Sequence, residues 1–134
     1  MIGTLKDGLL ESVLENLPIE FSVLGADDKV VAWNKHETRL FKRPPGALGR
    51  NVRDCHPKKS LDKVEQILAE MKAGKRDKAR FWIDMALGAD LRPQKVLIEY
   101  YALRDGQGRY LGCMEASQNI TEHRELEGQK RLMD

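Results

Sequence analysis

Residues 109–122, RYLGCMEASQNITE, decide how this chain is expected to fold. Residues 109–118 are strand-like and follow the turn-forming residues 105–108, DGQG. The tetrapeptide Asn119-Ile120-Thr121-Glu122 then marks the change from this strand to a charged segment, 121–134, that we predict to be a helix. Thr121 can cap that helix, and Glu122 would lie near its positive end.

Two more strands are predicted upstream, within residues 81–87 and 96–101, where side chains alternate between two faces of a sheet. The second face carries Trp82, Leu97, Tyr101 and Met114, so it is not purely polar. A sheet with one solvated face alternates more cleanly. We therefore expect both faces to be partly covered.

The strongest helix pattern begins at Ser60, a favoured N-terminal capping residue, and stops at Gly74. Its apolar residues fall on one face, which we expect to cover the sheet: Leu61, Val64, Ile67, Leu68 and Met71. Earlier in the chain, residues 21–24 and 30–33 predict two strands of a hairpin. Asn34 and Glu37 then resemble a capping box, which predicts a short helix to Phe41.

Residues 1–17 predict an N-terminal amphipathic helix that ends at Pro18. Its apolar stripe consists of Leu5, Leu9, Leu10, Val13, Leu14 and Leu17. Such a stripe is larger than a monomer usually leaves in water. We expect it to cover the second face of the sheet, either within the chain or from a second copy, and we predict a homodimer through residues 5–17.

The composition limits the class of protein. A chain of 134 residues, 41% hydrophobic and 33% charged, is typical of one globular domain. A net charge of +2 does not favour nucleic acid or a membrane surface as partner, and no run is apolar enough to span a bilayer. Cys55 and Cys113 form no CxxC pair, which favours a reducing cytoplasm.

The order of these elements resembles a PAS domain, a small α+β sensor module, over residues 18–120. The matching residues are Val31-Ala32-Trp33-Asn34, Leu48-Gly49-Arg50, Pro57 and the terminal tetrapeptide. The resemblance implies a five-stranded antiparallel sheet with helices on one face and the N-terminal helix on the other. It also implies that residues 121–134 form an output helix.

A narrower resemblance involves residues 51–60 (NVRDCHPKKS), 74–77 and 81–83. These residues are similar to the PAS domain that follows a hemerythrin-like domain in some prokaryotic proteins. With only three histidines, this chain lacks the hemerythrin partner itself. His36 and Phe41 depart from the PAS pattern, where many members have smaller residues, so the shape of the pocket is left open.

The resemblance implies a sensory domain that binds a small ligand between the sheet and the Ser60 helix and signals through the C-terminal helix. We expect the pocket to be lined by His56, Cys55, Val64, Ile67, Leu68, Phe81 and Tyr100. His56 could ligate haem, although a backbone-bonded histidine in a loop is the simpler interpretation. A flavin adduct at Cys55 is disfavoured, because the relatives that sense light have Asn-Cys-Arg where this chain has Asp54-Cys55-His56.

No pattern of an enzyme occurs: there is no GxSxG, HExxH or phosphate-binding glycine loop. We predict a protein that is not an enzyme. The alternative to a ligand sensor is a dimerisation or protein-interaction module with a filled core. The sequence leaves open the ligand, the output partner, the redox role of both cysteines and whether the chain is part of a longer protein.

Overall fold

A computed structural model describes residues 1–133. Its elements, in chain order, are helix α1 (Leu9–Asn16), strands β1 (Glu20–Gly25) and β2 (Val30–Trp33), helix α2 (Lys58–Lys72), and strands β3 (Lys78–Leu87), β4 (Arg92–Arg104) and β5 (Tyr110–Asn119). Three 3-10 turns lie between β2 and α2, at His36–Thr38, Pro45–Ala47 and Val52–Asp54. A fourth 3-10 turn, Glu122–Glu125, follows β5. The predicted five strands and the long helix are therefore confirmed.

The strands form one antiparallel sheet in the order β2-β1-β5-β4-β3. The first strand, β1, and the last strand, β5, are therefore neighbours near the centre of the sheet, and β5 also pairs with β4. At the β4–β5 hairpin, the Asp105 carboxylate accepts hydrogen bonds from the backbone N–H groups of Gln107 and Arg109. These two hydrogen bonds are of the Asx-turn type, and they form the turn that was predicted at residues 105–108.

Helix α2 covers the inner face of the sheet, as predicted, and contributes Val64, Leu68 and Met71 to the core. Each such buried side chain stabilises the fold by about 1.5–3 kcal/mol. The helix begins at Lys58, two residues before the predicted start, with Pro57 in the N-cap position. Gly74, at φ +73°, ends it as predicted, because the left-handed conformation there costs glycine little.

The outer face of the sheet is partly covered: Phe21, Leu97 and Ala116 are buried there, whereas Trp82 is exposed. The structure differs from expectation at α1, which is shorter than predicted and buries none of its residues. Its apolar stripe stays at the surface, with Leu9 and Leu10 about half exposed.

Asn34 does not cap a helix, so the predicted capping box is wrong. Its side chain is buried, accepts a hydrogen bond from the Phe21 N–H at 2.7 Å and donates to the carbonyls of Leu14 (2.7 Å) and Ile19 (3.1 Å). The residues that follow form only the 3-10 turn His36–Thr38. Asn34 therefore ties α1 to β1, because tertiary partners compete successfully for its amide.

The predicted C-terminal helix is also wrong for the described residues. After the turn Glu122–Glu125, residues 126–133 form no regular element, and Asp134 lies outside the described part of the chain. Thr121 makes no capping bond; its hydroxyl donates to the Asn119 side chain and accepts from the Lys95 N–H at 2.8 Å. With three exposed apolar residues, Leu126, Leu132 and Met133, the segment has little surface to bury against the sheet.

Among the described residues, no helix has the length and apolar character needed to cross a bilayer.

Candidate functional site

Strand β3 shows where the core is incomplete. Phe81 and Ile83 point to the same side of the sheet as their neighbours Ile98 and Val96 on β4, which are buried. Phe81 and Ile83 are nevertheless 37% and 38% exposed. Helix α2 covers β4 and β5 but leaves a gap in front of β3, and this gap is a cavity of about 1100 Å³.

The cavity lies between the sheet, the start of α2 and the loop before it. Its apolar wall consists of Leu40, Phe41, Cys55, Pro57, Val64, Ile67, Phe81, Ile83, Ile98 and Tyr100. The rings of Phe81 and Tyr100 stack with their centroids 5.8 Å apart, which gives the wall a flat aromatic surface. A cavity of this size with a mainly apolar lining is typical of sites for small organic molecules.

The structure brings most of the predicted pocket residues together. Six of them line the cavity: His56, Cys55, Val64, Ile67, Phe81 and Tyr100. Leu68 does not; it is buried in the core on the next turn of α2. That these residues bind a ligand stays a prediction.

His56 lies in the loop before α2 with its Nδ1 atom 3.1 Å from the carbonyl oxygen of Val52. Because a carbonyl can only accept, this contact requires the proton to be on Nδ1. In the neutral imidazole, this tautomer leaves the lone pair on Nε2, the arrangement that a haem or metal ligand needs. His56 is the one histidine that lines the cavity, and no cluster of three or more metal-binding side chains exists among residues 1–133.

The two cysteines are free thiols in different settings. Cys55 is half-buried in the cavity wall, and its thiol contacts the carbonyl oxygen of Asn51 at 3.7 Å. Cys113 is fully buried beneath α2, where it packs as a small apolar residue. Burial raises the pKa of the Cys113 thiol to about 12.

Two polar residues that were not predicted from the sequence, Arg43 and Glu115, lie beside Tyr100 at the inner end of the cavity. An Arg43 Nη2 lies 3.4 Å from a Glu115 oxygen, and both side chains are largely buried. Burial raises the pKa of the Tyr100 phenol well above its usual value, and the neighbouring Glu115 charge adds to this effect. Glu115 could have been found, because it shares the inner-face alternation of β5 with Cys113; nothing in the sequence singles out Arg43.

A second buried ion pair shapes the loop that carries Arg43. Arg39 and Glu20 approach to 3.2 Å and are almost fully buried. Glu20 accepts hydrogen bonds from the backbone N–H groups of Leu40 and Phe41, and Arg39 donates to the Phe41 carbonyl. Burial lowers the pKa of Arg39, while the charge of Glu20 opposes that change. The pair holds residues 39–43 against the sheet and so forms one wall of the cavity.

The rim of the cavity is basic. Three exposed lysines line it, Lys42, Lys59 and Lys63. The one exposed carboxylate at the rim, Asp84, is paired with Lys95. The cavity is therefore apolar inside, neutral at its inner end and positively charged at its mouth.

A family model described as a PAS domain matches residues 10–121, most of the chain. The chain belongs to the PAS domain family. Members are in general sensory and interaction modules, and the five-stranded antiparallel sheet flanked by helices is their fold.

Three solved structures illustrate the similarity. A C-terminal domain from Streptococcus mutans is 33% identical, with a TM-score of 0.83 over 95% of this chain and 94% of that one. The PAS domain of Bordetella pertussis BvgS is 16% identical, with a TM-score of 0.61 and 87% of each chain covered. VqmA bound to DPO, a Vibrio cholerae protein, is 18% identical, with a TM-score of 0.60 over 85% of this chain and 57% of that one. No curated protein matches the chain.

Proposed function

We propose that this chain is a sensory domain, not an enzyme, that binds a small molecule in the cavity between β3 and α2. The observation that carries the proposal is the gap in front of Phe81 and Ile83, two apolar residues that a filled core would bury. An occupant would remove them from water, at about 25 cal/mol for each Å² of apolar surface covered. The stacked Phe81 and Tyr100 rings favour a ligand with a flat or extended apolar part.

A chain of hydrogen bonds leads from the cavity to the N-terminal helix. Arg43 Nε and Arg39 Nη2 both donate to the Ser22 hydroxyl, at 2.9 and 3.1 Å. Arg39 Nη1 donates to the carbonyl of Asn34, whose side chain binds the Leu14 carbonyl in α1. We propose that the signal is relayed along this path to α1, since the C-terminal segment forms no helix in the described residues. A ligand can drive the change only by binding one of two states more tightly.

Haem is one candidate occupant, and the residues present fit it. His56 would hold the haem iron through Nε2, with the Val52 carbonyl orienting the ring. Bound haem would supply gas binding or redox chemistry at its iron. A flavin adduct would require Cys55, whose sequence context differs from that of light-sensing relatives.

The neighbours do not identify the ligand. VqmA has been solved bound to DPO, but 18% identity shows a common fold alone. The narrower similarity of residues 51–60 to PAS domains that follow a hemerythrin-like domain stays a prediction. The cytoplasmic setting also stays a prediction, and the two free cysteines agree with it.

The absorbance spectrum and native mass of the purified protein test the proposal. We expect an additional mass in the folded protein, with a Soret band if the occupant is haem and flavin bands if it is a flavin. Ile67→Trp places a large ring in the cavity wall and should abolish the added mass. The control Ala69→Trp changes an exposed position on α2 and should keep it. Equal occupancy in both variants would contradict binding in this cavity.

The alternative is a dimerisation module without a ligand, and the exposed stripe on α1 favours it as a second candidate. Leu9, Leu10, Val13 and Leu14 are all exposed in the single chain. A wild-type protein that carries no added mass and binds no apolar probe, yet is a dimer, would support this alternative.

A further inference from the structure

The charges around the cavity differ in whether they are paired. Inside it, Arg43 is neutralised by Glu115, and at the rim Asp84 is neutralised by Lys95. Lys59 and Lys63 have no hydrogen-bonding or ion-pair partner for their ammonium groups within residues 1–133. The unpaired charge of the cavity is therefore positive and lies at its mouth.

The position of the two lysines makes this charge concentrated. Lys59 and Lys63 are four residues apart on α2, so their side chains are neighbours on the face that lines the cavity. Like charges at this spacing repel each other and destabilise a helix. They also lie in the first two turns of α2, where the positive end of the helix dipole adds to the repulsion and the first turn has no acidic residue. An anion bound between them would relieve both effects.

We propose that the cavity takes an amphipathic anion: a molecule with an apolar body and a carboxylate or similar acidic group at one end. This inference rests on the proposed function, since it names the class of ligand for the same cavity. The apolar body lies against Ile67, Phe81 and Tyr100, and the acidic group lies at the rim between Lys59 and Lys63. The reverse orientation is disfavoured, because at the inner end Arg43 is already paired and Glu115 would repel an anion.

The test compares three probes that share an eight-carbon chain: octanoate, 1-octanol and octyltrimethylammonium. Each is titrated into the full chain while backbone amide NMR signals report both the affinity and the location of binding. We expect octanoate to shift the signals of cavity residues such as Ile67 and Tyr100. Its affinity should be about tenfold higher than that of 1-octanol, because two partly exposed ion pairs contribute that order of effect. The cation should bind most weakly.

The variant Lys59→Gln with Lys63→Gln should remove the preference for octanoate over 1-octanol. The matched control Lys58→Gln with Lys75→Gln makes the same change in net charge at exposed positions outside the cavity lining and should keep the preference. All four positions are exposed, so neither variant should unfold at a lower temperature than wild type, which would show that both are folded.

The outcomes separate the two proposals. The proposal of an anionic ligand is overturned if 1-octanol or the cation binds in the cavity as tightly as octanoate. It is also overturned if the preference for octanoate survives Lys59→Gln with Lys63→Gln. In both cases the proposal that the cavity binds a ligand stands. If none of the probes shifts the cavity signals, both proposals are overturned. Preference for octanoate that is lost only in the rim variant supports both.

Discussion

Gly112 occupies a position in β5 that no larger residue fits. A Cβ atom there would lie 2.1 Å from the carbonyl oxygen of Leu24 on the neighbouring strand β1. Gly112 pairs with Gly25 of β1 in this part of the sheet. The absence of a side chain therefore allows β1 and β5 to join at the centre of the sheet.

We expect Gly112→Ala to destabilise the protein by about 1–3 kcal/mol, since the strands must separate to admit the methyl group. Urea unfolding measures this change. The control is Gly106→Ala in the β4–β5 turn, where a Cβ would meet nothing within 4 Å and the effect should be small. Equal stability of the two variants would show that β1 can move away at no cost.

The buried thiol of Cys113 predicts a loss of stability in alkaline solution. Its pKa is raised from 9.0 to about 12 in the folded chain, mainly by burial. The neutral thiol therefore contributes stability that is fully present below pH 9.0 and is lost as the pH rises toward 12. One such group changes the free energy of unfolding by at most ~1.4 kcal/mol for each pH unit.

Urea unfolding between about pH 8 and 11 measures this slope. These limits lie about one unit below the thiol's ordinary pKa and about one unit below its raised pKa. Cys113→Ala should have a shallower slope than wild type above pH 9.0. Some slope should persist, because burial also raises the pKa values of Tyr100 and Tyr110. Val64→Ala removes buried volume but no titratable group, so it serves as the control and should keep the wild-type slope. Parallel curves for Cys113→Ala and wild type would contradict the prediction.

At the scale of single elements, α1 is held by its C-terminal end. Two residues that follow β2 donate side-chain hydrogen bonds to backbone carbonyls at this end of α1. Asn34 donates to the carbonyl of Leu14, and Lys35 Nζ donates to the carbonyl of Glu15 at 3.0 Å. The Glu15 carboxylate in turn accepts from the Lys35 N–H at 3.1 Å. A helix of eight residues is marginal alone in water, so these bonds keep α1 in place.

Asn34→Asp should release α1. The substitution keeps the shape and the acceptor for the Phe21 N–H but places oxygen against the carbonyls of Leu14 and Ile19. We expect a cost of about 3 kcal/mol for the buried, unsatisfied groups. Backbone amide exchange in residues 9–16 should become faster.

The matched control for this element is Asn16→Asp, because the Asn16 amide is exposed and bonds only to Ser12 within α1. Its effect on the free energy of unfolding should be close to zero. If Asn34→Asp is no more destabilising than this control, or if α1 stays protected from exchange, the side-chain bonds of Asn34 do not hold the helix.

At the scale of the whole molecule, the predicted homodimer through residues 5–17 stays a prediction. The exposed apolar residues of α1 support it, as does the exposed Trp82 on the outer face of the sheet. Monomers rarely leave such a stripe in water. A stable dimer would need to bury about 1,000 Å² or more, which requires surface beyond one short helix.

Light scattering of wild type and of Leu9→Asp with Val13→Asp tests the dimer. We expect a dimer for wild type and a monomer for the variant, because burying two carboxylates in an apolar interface is costly. Thr4→Asp with Ser12→Asp adds the same charge at exposed polar positions and should remain a dimer. A monomeric wild type at high concentration would exclude this interface.

The elements whose pattern is local could be predicted from the amino acids alone. The strands of the meander follow from alternation, α2 follows from an apolar face and a stop at Gly74, and the β4–β5 turn follows from DGQG. The terminal tetrapeptide 119–122 marked the end of β5 correctly. The resemblance to PAS domains also allowed six of the seven predicted pocket residues to be named. Periodicity sets the faces of α2 and β3 that contribute Val64, Ile67 and Phe81 to the lining.

The remaining features depend on tertiary contacts, because the residues that make these contacts are distant in sequence. Asn34 has the local pattern of a helix cap, yet bonds to α1 and β1 satisfy its amide in the folded chain. Thr121 likewise binds β4 instead of capping a helix. Arg43 meets Glu115, 72 residues away, only once the loop folds over the sheet. The pairing of Arg43 with Glu115, and the lack of partners for Lys59 and Lys63 within residues 1–133, therefore could not be read from local patterns.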